Sequence, residues 1–129
     1  MAHPNEEMLR KLYDAYNKGD IETVMRSLAP DVVGHVPGKS HLSGTYKGTD
    51  EVMGMFGKLA AAVAGSYSVE VHDVLANNEH AAVLGEINAE KNGERYTSKS
   101  VEVYHLKDGK ITEFWTLEED LYASDAFYG

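Results

Sequence analysis

Two hydrophobic periods divide the chain. Up to Gly65 the apolar residues recur three and four positions apart, and beyond Ser66 they alternate. In the first part Met8, Leu9, Leu12, Tyr13 and Tyr16 share one helical face. Pro4 suits the first helical position, Glu6 and Glu7 suit the first turn, and Lys18-Gly19 supplies the stop. Asp20 then caps a second helix with Ile21, Val24, Met25 and Leu28 on one side, and Pro30 ends it. A short extended run, Val32 to Val36, passes through Pro37-Gly38 into a loop reaching Gly48, because Pro37 biases the residue before it to extended geometry. Thr49 caps a third helix whose buried stripe is Val52, Met53, Phe56, Leu59, Ala60 and Val63, closed by Gly65.

In the second part Tyr67, Val69, Val71, Asp73 and Leu75 alternate with Ser68, Glu70, His72 and Val74, up to a turn at Asn77-Asn78. Three further strands follow over Ala81 to Ala89, Arg95 to Leu106 and Ile111 to Glu118, with Asn92-Gly93 and Asp108-Gly109 as hairpin turns. The tail from Glu119 to Gly129 is acidic and aromatic without a period. Three helices followed by antiparallel strands predict an α+β fold, a curved sheet wrapped on the helices around a conical cavity. Val101 and Val103 point opposite to Glu102 and Tyr104, so the outer sheet face is apolar too and needs a cover, which a second copy would provide.

Length and composition narrow the partners. A chain of 129 residues, 43% of them apolar, suits one domain, 1–129, with a core around a small cavity. Twelve basic residues against 21 acidic ones give a formal charge of −9, which argues against nucleic acid and anionic membrane surfaces. The chain contains no cysteine, which removes thiolate metal sites and thiol catalysis, and histidines at a metal-binding spacing such as HExxH do not occur. Neither a phosphate-binding glycine loop nor a nucleophile elbow is present, so no cofactor and no metal is expected. MAHPNEEMLRK lacks the basic start and apolar run of an export signal, and Leu59 to Val63 is far too short to span a bilayer; the expectation is a cytoplasmic protein.

His35 is the single titratable side chain of the extended run Val32 to Val36, placed either as a buried, hydrogen-bonded histidine or as a group for acid-base work near neutral pH. Three stretches carry a resemblance to a known family: NKGDIETVMRSLAPDVVGHVPG, SGTYKGTDEVMGMF and YHLKDGKITEFWTLEED. In that order and spacing the chain resembles the nuclear transport factor 2-like superfamily, in its SnoaL-like, ketosteroid isomerase-related branch. The resemblance implies a cystatin-like, cone-shaped α+β barrel with a pocket, commonly a dimer, hosting isomerases, cyclases, hydrolases, dehydratases and non-catalytic binders, so fold alone leaves function open.

Set against ketosteroid isomerases, VGHVPGKSHLSG matches the strand and loop of the general base, with His35 at that base, and EVYHLKDGKI puts Glu102 at the protonated acid that holds an enolate oxygen. The tyrosine those enzymes carry in helix 1 is replaced here by Leu12, with Tyr16 one turn later on the same face. Set against SnoaL-like cyclases, DGKI followed by Trp115 and then Glu118, Glu119 and Asp120 matches the segment bearing an acid-base aspartate, for which Glu119 or Asp120 could stand in.

Alternation alone leaves Glu102 either at the surface or in the pocket; the resemblance implies the pocket. There an apolar wall would raise its pKa and lower that of His35, whereas pairing the two would do the reverse. Tyr16, Phe56, Val71, Leu84, Tyr104 and Trp115 are candidates for contact with a flat hydrophobic ligand, and His41 for the pocket mouth. The expected activity is cofactor-independent proton transfer on a hydrophobic carbonyl compound, of isomerase, cyclase or dehydratase type, with His35 and Glu102 as the catalytic pair. The alternative is a non-catalytic binding or accessory module on the same fold.

Overall fold

A computed structural model describes residues 2–129. In chain order the elements are α1 (Pro4–Asn17), α2 (Ile21–Arg26), β1 (Leu28–Val36), β2 (Gly44–Lys47), α3 (Gly48–Ala62), β3 (Ser68–Ala76), β4 (His80–Lys91), β5 (Glu94–Lys107), β6 (Lys110–Glu118) and α4 (Leu121–Tyr128). The six strands form one curved sheet in the order β2-β1-β6-β5-β4-β3, open at both edges, so the fold is α+β with an unclosed sheet in place of a full barrel. Every neighbouring pair is antiparallel except β1 and β6, which run parallel. A parallel pair needs a long crossover, and here everything between Val36 and Lys110 supplies it.

Both ends of α1 are tied to the sheet by asparagines. The Asn5 side chain donates to the Asn77 and Asn78 carbonyls at the β3–β4 turn. Asn17 donates to the Val69 carbonyl at 2.8 Å and accepts from the Val69 N–H at 3.0 Å, occupying backbone groups of an edge strand. The intervening stripe, with Leu9 fully buried and Leu12 and Tyr13 each 7% exposed, is thereby laid against the concave face of the sheet. Val32, Val52, Val83 and Ile87 are fully buried in the same core.

Several local expectations are revised. β1 begins at Leu28, ahead of Pro30, because Leu28 pairs with Ile111; the missing Pro30 N–H costs no ladder bond, since pairing to β6 is interrupted between Leu28 and Val33 and β2 reaches only as far as Val33. The segment Gly44–Lys47, expected as loop, is a strand too short to show alternation. Lys47, not Thr49, occupies the N-cap of α3 without a side-chain bond, and the Thr49 hydroxyl instead donates to the Ala29 carbonyl. On α3, Met55 is buried where Ala60 was expected to be, and Ala60 is exposed. A bulge between Val71 and Asp73 inverts the end of β3, leaving Val74 at 2% exposure and Leu75 at 56%. The aperiodic tail contains α4, capped by the Asp120 carboxylate accepting from the Ala123 N–H at 3.1 Å.

Gly34 sits where β1 meets β6, and a Cβ there would run into the Phe114 ring, itself 5% exposed. Gly34→Ala should therefore destabilise the fold by about 1–3 kcal/mol, as overpacking does, and lower the urea midpoint; an unchanged midpoint would show that the ring can yield.

Candidate functional site

A cavity of about 120 Å³ lies between the concave face of the sheet and helices α1, α3 and α4. That is roughly ten times the space one water needs, so it is a container and not a packing defect. Its walls are mostly apolar, with Leu12, Val24, Leu28, Met55, Phe56 and Phe114 among them. Polar groups enter from helices α1 and α4 and from two strands. Along β5 the inward positions run Ser98, Ser100, Glu102, Tyr104, each no more than 7% exposed, and along β6 the inward positions Phe114, Thr116 and Glu118 line the cavity.

Two of these groups, Glu102 and Tyr104, form a chain with Tyr13 of α1. The Tyr13 hydroxyl bonds to Glu102 Oε1 at 3.1 Å and to the Tyr104 hydroxyl at 2.5 Å. Glu102 Oε2 and the Ser100 hydroxyl have no hydrogen-bond partner among the described residues. Burial pushes the Glu102 carboxyl up to about 7; the Ser100 hydroxyl, close by but without a well-formed hydrogen bond, and the bonded Tyr13 hydroxyl favour its charged form and hold the rise back, and Glu118 adds to it. Burial also raises Tyr104 and Tyr13, and Tyr16 to about 12, so these phenols keep their protons and remain donors near neutral pH. An unpartnered carboxyl oxygen in such surroundings is costly unless a ligand or water meets it.

Glu118 is the second carboxyl on the cavity wall. Tyr96 donates to its Oε1 at 2.6 Å and Ser124 of α4 to its Oε2 at 2.9 Å. Register explains the placement: Glu102 faces Thr116 and Glu118 faces Ser100 across the β5–β6 ladder, so the two acids occupy diagonal positions on one face. Glu119, which accepts from the Lys99 N–H, and Asp120, which caps α4, do not line the cavity.

Of the residues singled out from sequence, Glu102, Tyr16, Phe56 and Tyr104 are brought together in this cavity. His35 is not. Val32 and Gly34 take the inward positions of β1, which turns His35 to the outer face, where its ring stacks on Trp115 at 5.0 Å and Nε2 meets Glu113 Oε2 at 2.6 Å. Trp115, between the inward Phe114 and Thr116, is on that outer face as well. His35 and Glu102 thus lie on opposite sides of the sheet. His41 is exposed and binds the Gly129 carbonyl through both its backbone N–H and its ring, tying the loop after β1 to the end of α4. Val71 packs on the core beyond the cavity, and Leu84 lines a separate hollow of the outer face with Glu70, Glu86 and Lys99.

One member of the site escaped the sequence, and another was left open there among Glu118, Glu119 and Asp120. Tyr13 sits on the α1 stripe directly after Leu12, the position where the resemblance looked for a phenol, and its side chain supplies that phenol. Glu118 follows from counting by twos from Phe114, but without coordinates nothing shows β6 to be free of a bulge there.

The cavity and its carboxyls sit on a known architecture. Solved structures of cystatin-like and NTF2-like fold match nearly the whole chain. Bal32a, from a soil-derived mobile gene cassette, is 27% identical with a TM-score of 0.93, covering 98% of this chain and 97% of its own. IdmH of Streptomyces antibioticus, described as a candidate polyketide cyclase, shares the fold at 20% identity and a TM-score of 0.77, covering 98% of each chain. An uncharacterized protein of Mycobacterium tuberculosis is 28% identical over 123 residues, 95% of this chain and 94% of its own. The family model of the SnoaL-like domain matches residues 9–114, and with that match over most of its length the chain belongs to the SnoaL-like family.

Proposed function

We propose that the protein is a cofactor-independent acid-base enzyme of isomerase or cyclase type, acting on a hydrophobic carbonyl-bearing molecule with Glu102 as the proton-transferring group. Membership of the SnoaL-like family supports the class. The observation that carries the chemistry is the Glu102 carboxyl: buried, poised at about 7, bonded on one oxygen by Tyr13 and unpartnered on the other. A carboxyl with that pKa is available in both protonation states at neutral pH, which suits one group to take and return a proton. Ionised, its Oε2 removes a proton from the carbon beside the carbonyl, and the electron pair of that C–H bond moves into an enolate. Tyr16, a neutral phenol lining the same cavity from α1, donates to the enolate oxygen, and Glu102 then delivers its proton to carbon. Tyr104 and Tyr13 are positioning residues, holding Oε1 so that Oε2 stays free.

The test is exchange of the α-protons of neutral bicyclic ketones and aromatic 1,3-diketones in D2O, followed by NMR. Acceleration over buffer that saturates with ketone supports the enzyme. Saturable binding of the same ketones with no acceleration would overturn the catalytic reading and leave a binding module.

We further propose a homodimer through the outer sheet face. Val101 and Val103 are half-buried there beside Trp115, and Leu117 is 45% exposed. A two-fold axis would set this face against itself, so one substitution enters the interface twice. Val103→Glu should convert a dimer to a monomer in sedimentation at micromolar concentration; a wild-type monomer would remove the proposal.

A further inference from the structure

We propose that Glu118 is a specificity-determining residue that makes the cavity select neutral ligands and reject anionic ones; this rests on the cavity being the ligand site proposed above. Among the described residues no lysine, arginine or histidine lines the cavity, whereas two carboxyls do. An anion entering this space would give up part of its hydration, meet no cation, and face the part-buried Glu118 carboxyl, where solvent screens less than at an open surface. A neutral carbonyl suffers none of this and still finds the Tyr16 phenol as a donor.

Glu118 suits the role better than Glu102. Glu102 can shed its charge by binding a proton, since burial has brought its pKa to about 7. The Glu118 oxygens instead accept from hydroxyls that come from two sides, Tyr96 on β5 and Ser124 on α4, so the protein's own donors are spent on them. The other titratable groups facing this carboxyl are Glu102, Tyr128 and Tyr67, each pushed upward in part by Glu118 itself. None of them offers positive charge to a ligand. The inference also narrows the substrate: a hydrophobic carboxylic acid would be taken up only with its proton or as a neutral derivative, such as an ester.

A matched pair of probes tests this by calorimetry: 2-acetylnaphthalene and 2-naphthoate, alike in shape and differing in charge, titrated into the whole protein at pH 6, 7 and 8. In the wild type naphthoate should bind at least tenfold more weakly than the ketone at pH 8, the gap narrowing as pH falls. Glu118→Gln, shown to be folded by its urea midpoint, should strengthen naphthoate binding relative to the ketone roughly tenfold, the scale of one charge removed from a part-buried wall. Tyr96→Phe disturbs the same hydrogen bonds without changing charge and should leave the ketone-to-naphthoate ratio unchanged. Equal affinity of the two probes for the wild type, or a ratio that Tyr96→Phe moves as much as Glu118→Gln does, would overturn the gate. Failure of both probes to bind would overturn the cavity as ligand site and the gate with it.

Discussion

Replacing Glu102 by glutamine should lower the rate of α-proton exchange by roughly 10² to 10⁴, the usual contribution of a positioned general acid or base. Glutamine keeps the length and shape of the side chain and can still accept from Tyr13 at its carbonyl oxygen, so ketone binding should persist while turnover falls. Loss confined to kcat would mark proton transfer, whereas a rise in KM alone would mark a binding contact. The wild-type profile of kcat/KM against pH should bend near 7, because the ionised carboxyl is the base and it is half-populated there. That bend should vanish in Glu102→Gln. His35→Ala serves as the contrast: with its ring on the far side of the sheet against Trp115 and Glu113, the exchange rate should stay within about twofold of wild type. If His35→Ala lost activity and Glu102→Gln did not, the roles assigned to the two faces of the sheet would be wrong.

The placement of His35 shows where reading by residue type stops. Alternation fixes which residues share a face but not which face is concave, and β1 offered two sets: Val32, Gly34 and Val36, or Val33 and His35. Val36 lines the cavity. The deciding contact is Phe114 packed over Gly34, a partner 80 positions away that no local period reveals. In β5 the same ambiguity resolved the other way, because Glu102 shares its side with Ser100 and Tyr104 and that side faces the helices. Helix positions were easier: α1 and α3 needed only a stripe and stops, both local. The acidic tail hid α4, since eight residues are too few for a period and its stabilising contacts are tertiary, with Lys91 on the Phe127 and Tyr128 carbonyls and Phe127 stacked on Tyr96.

A carboxyl held ready for proton transfer should also register as a cost to the fold, with a sign that can be worked out. The Glu102 pKa rises from 4.5 to about 7 on folding, so between those values the native state holds a proton that the unfolded chain has released. Its contribution is fully favourable below about 4.5, declines as pH rises through that window, and is lost above about 7. One unit corresponds to about 1.4 kcal/mol, so the ionised carboxyl destabilises the native state at pH 8 by roughly 3 kcal/mol relative to pH 4. Other acids titrate in the lower part of this range, so the informative quantity is the difference between wild type and Glu102→Gln in urea unfolding. The variant should gain about 3 kcal/mol on wild type between pH 4 and pH 8, a relative shift in midpoint of about 1–3 M for ordinary urea slopes. A difference flat with pH would mean that the carboxyl is as well solvated in the native cavity as in the unfolded chain, and the bend near 7 in the exchange profile should then be missing too. A slope of opposite sign would mean that the native state stabilises the ionised form, as a cation or several aligned donors at Oε2 would do. Stability and turnover thus report one protonation through independent readouts, and the residue that gives the protein its chemistry is the residue whose removal should make it sturdier at high pH.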